Sequence, residues 1–298
     1  MQRITPCLWF DNQAEEAARF YTSLFPNSKI GAITRYGESG AKASGRAVGS
    51  VMTIMYTLDG HEFMGLNGGP MFKFSPAISF CVMSNSAGRV EELWKALSQG
   101  GTALMPLEKY PWSERYGWLN DRFGVSWQLI CLEKGSGIAP ALMFVGDQAG
   151  KAEEAINFYQ SQFPNSRTNH IMRYEEGEGD TVGFVKHSSF MLDGQEFMAM
   201  ESSGPHQFNF IQSVSFIVNC KDQAEIDHYW DGLSSNGGRP NVCGWLSDKF
   251  GIPWQVVPTD MARMMEQGDP KKQERVMASL LKMTKLDMAE LRRAAEHG

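Results

Sequence analysis

Apolar and polar positions along this chain fall into short blocks whose periods switch between two and about 3.6. Residues 4–10 form an apolar run of strand length, too short for a helix. Asn12 follows where a helix cap belongs, with Glu15 at the capping-box spacing. Ala17, Phe20, Tyr21 and Leu24 then stand at i, i+3, i+4 and i+7, one stripe suited to packing on a sheet. Pro26 ends that helix. Residues 29–36, 47–58 and 62–66 read as strands, the last two joined by Asp59-Gly60, a two-residue hairpin signal. The pattern then restarts. Residues 77–83 are a strand. Residues 87–99 are a helix with Val90, Leu93, Trp94 and Leu97 on one face, and short strands lie around 117–119 and 125–131. Strand-helix-strands is thus spelled twice, a βαβββ unit used two times in about 130 residues.

The whole pattern then recurs. E-E-A-A-R-F-Y-T-S-L-F-P-N-S from Glu15 returns as E-E-A-I-N-F-Y-Q-S-Q-F-P-N-S from Glu153, identical at 10 of 14 positions. L-D-G-H-E-F-M from Leu58 returns from Leu192 as L-D-G-Q-E-F-M. G-W-L-N-D-R-F-G-V-S-W-Q-L from Gly117 returns from Gly244 as G-W-L-S-D-K-F-G-I-P-W-Q-V. A period near 130 is the size of a domain, so the chain is a tandem duplication. The expected organisation is residues 1–133 for copy one, 138–258 for copy two and 259–298 for a helical tail broken at Gly268–Pro270. The polar linker 133–137 reaches under roughly 20 Å at about 3.5 Å per residue, so the copies are expected to pack as an intramolecular pseudo-dimer. They differ most at 102–116, a hairpin carrying Tyr110, Trp112 and Tyr116, where copy two has only 239–243. That element is either a tolerated surface insertion or a lid or partner contact.

Composition narrows the function. With 42% hydrophobic and 21% charged residues, the chain can fill two cores and is not disordered. A net charge of −6 leaves no basic surplus for nucleic acid or an anionic membrane. No long apolar run and no signal-peptide pattern occur, so a cytoplasmic location is expected. The five cysteines have no C-x-x-C spacing and no equivalents between copies, which fits free buried thiols. In the tail, Lys271, Lys272, Arg275, Lys282, Lys285, Arg292 and Arg293 accompany Val276, Leu280, Leu281, Met283, Leu286 and Leu291. This reads as an amphipathic helical pair docking on the duplicated domains.

These residues resemble a known family. A paired βαβββ unit is the architecture of the vicinal oxygen chelate superfamily, which includes glyoxalase I, bleomycin-resistance proteins and extradiol dioxygenases. T-P-C-L-W-F-D with E-E-A-x-x-F-Y, L-D-G-x-E-F-M, N-G-G-P and G-W-L-x-D-x-F-G-x-x-W-Q are similar to its PhnB-like branch, catalogued as the 3-demethylubiquinone-9 3-methyltransferase domain. The resemblance implies an α+β fold of two tandem domains, each with a cupped mixed sheet, plus a helical C-terminal tail. No Gly-rich loop of a Rossmann methyltransferase is present. Superfamily enzymes chelate a divalent metal, which would need a His near Thr5 or Ala139 and a Glu where Gln128 and Gln255 stand. The six histidines His61, His170, His187, His206, His228 and His297 occupy no equivalent pairs. The expectation is therefore no metal and no cofactor.

The copies share Glu62/Glu196, Trp118/Trp245, Trp127/Trp254, Gln128/Gln255 and Asp121/Asp248. Strand alternation puts Trp127 and Gln128 on opposite sides of the sheet, Trp127 in the core and Gln128 toward the cup. Gln128 either orients a ligand or bonds a neighbouring strand's side chain. Asp121 is expected to cap its own turn. Candidate ligand-binding residues are Gln128, Gln255, Glu62, Glu196, Asn67, Glu201, Trp118 and Trp245; no catalytic residue is named. The expected partner is a small organic ligand, with a further homodimer left open. Rival readings are a metal-dependent lyase, isomerase or dioxygenase, and a structural protein with vestigial pockets.

Overall fold

The structure, a computed structural model, describes residues 2–265 and 269–296; Gly268 of the expected tail break and His297 lie outside the described residues. Copy one runs β1 (Ile4–Phe10), α1 (Ala14–Leu24), β2 (Lys29–Arg35), α2 (Glu38–Ser44), β3 (Val51–Leu58) and β4 (His61–Asn67). It continues with β5 (Ile78–Ser84), α3 (Ala87–Leu97), β6 (Thr102–Tyr110), β7 (Ser113–Asn120) and β8 (Ser126–Cys131). Copy two runs β9 (Gly137–Phe144), α4 (Ala152–Gln162), β10 (Arg167–Arg173), β11 (Val185–Leu192) and β12 (Gln195–Glu201). Its second half is β13 (Val214–Cys220), α5 (Gln223–Leu233), β14 (Arg239–Pro240), β15 (Trp245–Ser247) and β16 (Pro253–Pro258), followed by α6 (Met261–Met264), α7 (Pro270–Leu280) and α8 (Met288–Glu296). Both Asp-Gly hairpins form, with Asp59 and Asp193 at positive φ as a type I′ turn requires.

Repetition and compactness divide the chain differently. One compact unit comprises residues 1–73 and 211–298, the other residues 74–210. The first holds an eight-stranded sheet in the order β14-β15-β16-β13-β1-β4-β3-β2, the second one in the order β10-β11-β12-β9-β5-β8-β7-β6. Each sheet takes one βαβββ half from each copy. In the first, β1 and β13 pair antiparallel from Ile4↔Val218 to Leu8↔Val214. In the second, β5 and β9 pair antiparallel from Ile78↔Leu142 to Met83↔Gly137. The pseudo-dimer is thus built by exchanging halves.

Helices cover one face of each sheet, α1 and α5 in the first unit and α3 and α4 in the second. The strands facing them carry the large core residues, Tyr56, Phe63, Phe216 and Trp254 in one and Phe80, Trp127, Phe190 and Phe197 in the other, all essentially buried. Gly65 and Gly117 mark close approaches on that face. A Cβ on Gly65 would stand 3.1 Å from Ala14 Cβ, and one on Gly117 would stand 2.5 Å from the Trp94 ring.

The tail belongs to the first unit. Met264, Met265, Val276, Met283, Leu286 and Leu291 form one apolar cluster against Met52 and Val257. Glu274 on α7 accepts the Ser39 backbone N–H at 2.8 Å and so caps α2, a short helix the sequence pattern does not predict. No helix among the described residues is long and apolar enough to cross a membrane.

Candidate functional site

With helices on one side, the other, concave face of each sheet is where small side chains from many strands converge. Register identifies its residues. In the second unit one row runs Met191, Glu196, Ala139, Cys81, Gln128 and Trp118 across six strands. The matching row of the first unit is Thr57, Glu62, Thr5, Ile217, Gln255 and Trp245. The structure therefore brings six of the eight expected residues onto two concave faces, three on each.

Both glutamines are already engaged. Gln128 is 4% exposed. Its Oε1 accepts from the Tyr116 hydroxyl at 2.8 Å, and its Nε2 donates to Ser79 Oγ at 2.9 Å. Gln255 Nε2 donates to Ser215 Oγ at 3.0 Å. These amides are held rigidly at the cup wall. The sequence reading missed the serines, although Ser-Phe recurs at 79–80 and 215–216 and so carried a signal. Tyr116, from the aromatic hairpin, packs with Tyr110 and Trp112 at ring-centroid distances of 5.5 and 5.6 Å. Burial pushes the Tyr116 hydroxyl far above its usual range.

Asn67 and Glu201 do not join the other six. Both lie on the helix-packed side, where Asn67 Oδ1 accepts the Ala14 N–H at 2.9 Å and Glu201 Oε1 accepts the Ala152 N–H at 2.6 Å. They cap the first helix of each copy from the end of a strand. Asn12, expected as the cap of α1, makes no such bond; Gln13 takes the N-cap position without a side-chain cap. An acceptor 53 residues from Ala14 does the work instead, because strand and helix ends meet there.

Asp121 and Asp248 hold their own turns, and Trp127 and Trp254 lie in the core on the helix-packed side. Asp121 Oδ1 accepts the N–H groups of Phe123 and Val125 at 2.8 and 3.0 Å, and Oδ2 accepts Trp127 Nε1 at 2.9 Å. Asp248 repeats this with Phe250, Ile252 and Trp254. Trp127 packs on Phe80 beneath the helices, with ring centroids 5.6 Å apart.

The cups carry little reactive chemistry. Burial, opposed by hydrogen bonds from Gln255 and Ser215, raises the Cys7 thiol to about 11. Burial and then the charge of Glu196 raise Cys81 to about 12. Both thiols stay protonated at neutral pH and are poor nucleophiles. His187 is lowered to about 4, first by burial and then by His170, whose Nε2 lies 2.9 Å from its Nδ1. A superfamily-type metal does not fit the donor set. Each cup offers one carboxylate, Glu62 or Glu196, beside hydroxyls and amides that bond to one another. Among the described residues no three His, Cys, Asp or Glu side chains converge to hold an ion.

Comparison with known proteins agrees with the repeat. The family profile of 3-demethylubiquinone-9 3-methyltransferase matches residues 2–130 and again 136–257. The PhnB protein of Bacillus cereus, which carries the same methyltransferase description, is 43% identical over 44% of this chain and 100% of its own, with a TM-score of 0.41. Glyoxalase I from Zea mays is 11% identical over 88% of this chain and 94% of its own, with a TM-score of 0.56, which shows the shared fold alone. No curated protein matches the sequence.

Proposed function

The chain belongs to the 3-demethylubiquinone-9 3-methyltransferase family, the PhnB-like branch of the vicinal oxygen chelate fold, and from that premise we propose that it binds a small organic molecule, without a metal, in one or both cups. The observation that carries this reading is the replacement of metal-binding chemistry by fixed neutral polar groups. Gln128 and Gln255 stand where a ligating carboxylate would be needed, each tied to a serine at 2.9–3.0 Å. A mostly apolar concavity with a few oriented polar groups is suited to recognition. Gln128, Gln255, Glu62, Glu196, Trp118 and Trp245 line the proposed sites. Cytosolic residence is part of the proposal.

Methyl transfer finds no support in this architecture, since both sheets are mixed and neither is the doubly wound parallel sheet of a nucleotide-binding fold. The test pairs a thermal-shift screen of small organic compounds with elemental analysis of protein purified without chelators or an affinity tag. Stabilisation by a compound class, in protein carrying less than about a tenth of an equivalent of metal, supports the reading; this follows from binding to the folded state only. About one zinc, nickel, iron or manganese per cup, removable with loss of an activity, overturns it in favour of a lyase, isomerase or dioxygenase. A screen without any hit points to vestigial pockets.

A further inference from the structure

The outer strands of the second unit carry a feature that the first unit lacks. His170 stands on β10, the outermost strand, and His187 on β11 beside it. Register pairs His170 with Ser189 and Met172 with His187. The two histidines are therefore diagonal neighbours on one face, within reach of each other's long side chains. They do meet: His170 Nε2 lies 2.9 Å from His187 Nδ1. The ring centroids are 5.1 Å apart and the ring planes 17° apart. The difference between the two distances is no more than the rings' own radii, so the nitrogens face each other between the rings.

Copy one shows what these positions hold when they serve the sheet alone. Aligned on the shared F-P-N-S and L-D-G blocks, Ala32, Thr34 and Thr53 match His170, Met172 and His187. There Thr34 and Thr53 bond hydroxyl to hydroxyl at 2.6 Å. In copy two the Thr34 position is Met172, a large apolar side chain left 53% exposed. It stands directly opposite His187, so thioether and imidazole share one face. His170 is exposed as well, and His187 is half-buried. The charged side chains beside them are paired elsewhere, Arg173 with Glu153 at 2.7 Å and Lys186 with Glu178 at 2.5 Å.

Two imidazole nitrogens and one sulfur make a donor set for a metal ion. An ion about 2 Å from each nitrogen separates the pair by about 2.9 Å at a right angle and about 4 Å in line. The observed separation stands at the near end of that range, and His170, exposed on an edge strand, can withdraw to meet the rest. Each neutral ring has a second nitrogen. The shared proton can move to a far nitrogen and leave both facing lone pairs for the ion. No carboxylate belongs to the set, which disfavours calcium, magnesium and manganese, whereas imidazole with thioether suits reduced copper.

We propose that His170, His187 and Met172 hold one monovalent copper ion at the outer edge of the second unit's sheet. The site lies apart from the residues proposed to line the cups and stands or falls independently of the ligand-binding reading. An ion on so open a surface exchanges with solvent, so it is detected by adding copper and not by analysing purified protein. The experiment titrates the full chain with copper(I), kept reduced by ascorbate without oxygen, against the chromophoric chelator bicinchoninate. Cys131→Ser and Cys243→Ser form the background, because those are the two thiols that are not buried. One copper(I) per chain is expected. Its affinity should fall about tenfold or more in His170→Ala and in His187→Ala, and about threefold or more in Met172→Leu, since losing a ligand costs no less than losing its supporting partner. His170→Ala carries the test, because an exposed residue on an edge strand can change without unfolding the sheet, which a circular-dichroism melt verifies. An affinity unchanged within twofold in His170→Ala, or two equal sites per chain, would overturn the proposal. Zinc bound as tightly as copper(I), or an unchanged affinity in Met172→Leu, would overturn it too, by removing the sulfur from the donor set.

Discussion

Removing the carboxylate of Asp121 should cost the second unit far more than its place at a turn would suggest. Asp121 is 4% exposed and accepts three hydrogen bonds, from Phe123 N, Val125 N and Trp127 Nε1 at 2.8–3.0 Å. Asp121→Ala leaves three donors behind, of which the Val125 amide and the Trp127 indole are fully buried. A buried donor without a partner costs about 1–3 kcal/mol, and the half-buried Phe123 amide can recover water, so the two buried donors together cost roughly 2–6 kcal/mol. Asp121→Asn is the discriminating variant. Its Oδ1 still serves both backbone amides, but its NH₂ confronts the indole N–H, so it should lose only about 1–3 kcal/mol. Guanidinium unfolding at constant m measures each change, with hydrogen exchange of amides in residues 74–210 assigning it to the right unit, because two units need not unfold as one. Asp248→Ala should do the same to the first unit through Phe250, Ile252 and Trp254. A loss under about 1 kcal/mol for Asp121→Ala, or equal losses for Ala and Asn, would refute the reasoning from unpaired donors.

Other outcomes can be stated from the same geometry. Gln128→Ala should weaken ligand binding and also cost about 1–3 kcal/mol, since it strands the Tyr116 hydroxyl and Ser79; a stability change near zero in calorimetry would contradict the observed network. Trp127→Ala should cost roughly 3–5 kcal/mol by emptying a core aromatic site, and an unchanged melting temperature would mean the faces of β8 are reversed. His187 has a folded value of about 4, below its ordinary 6.5. The unfolded chain therefore takes up its proton first as pH falls. Stability of the second unit should decline between about 6.5 and 4, and His187→Gln should flatten that part of the denaturation profile. A fragment of residues 1–133 carries half of each sheet and exposes the joining edges of β1 and β5; it should dimerise or aggregate in size-exclusion chromatography, and a stable monomer would count against exchanged halves.

Most local structure was legible because it rests on local physics. The Asp-Gly hairpins, the helix stripe ending at Leu24, the Asp121 turn and the opposite faces of Trp127 and Gln128 all follow from periods of 2 and 3.6 and from turn chemistry. What escaped involved partners far apart in sequence. Alternation says which face of β1 is buried but not whether β5 or β13 pairs with it, and both are apolar runs of similar length. Asn67 and Glu201 illustrate the same limit. They stand at a strand end, where parity alone cannot show that a helix N-terminus waits within 3 Å for an acceptor. The hydrogen bonds of Gln128 to Tyr116 and Ser79 needed three strands to be placed side by side.

Exchange of halves changes what a duplication can do. Each concave face combines Glu and first-strand residues from one copy with Gln, Trp and Ser from the other: Glu62 of copy one shares a sheet face with Gln255 of copy two, and Glu196 of copy two shares one with Gln128 of copy one. A substitution in one copy therefore alters a site whose other wall belongs to its sister. The aromatic hairpin of copy one and the His170–His187 pair of copy two end on a single sheet, although neither copy contains both. A single-copy ancestor pairing through the same strands would have formed two identical cups. Fusion removes that constraint, because four halves now vary independently. Trp9 against Met143, and Pro253 against Ser126, are the kind of change that symmetry would have imposed on both cups at once. Their appearance in one cup only leaves Trp9 against Trp245 in the first unit, and Met143 with Trp118 bonded to Ser126 in the second.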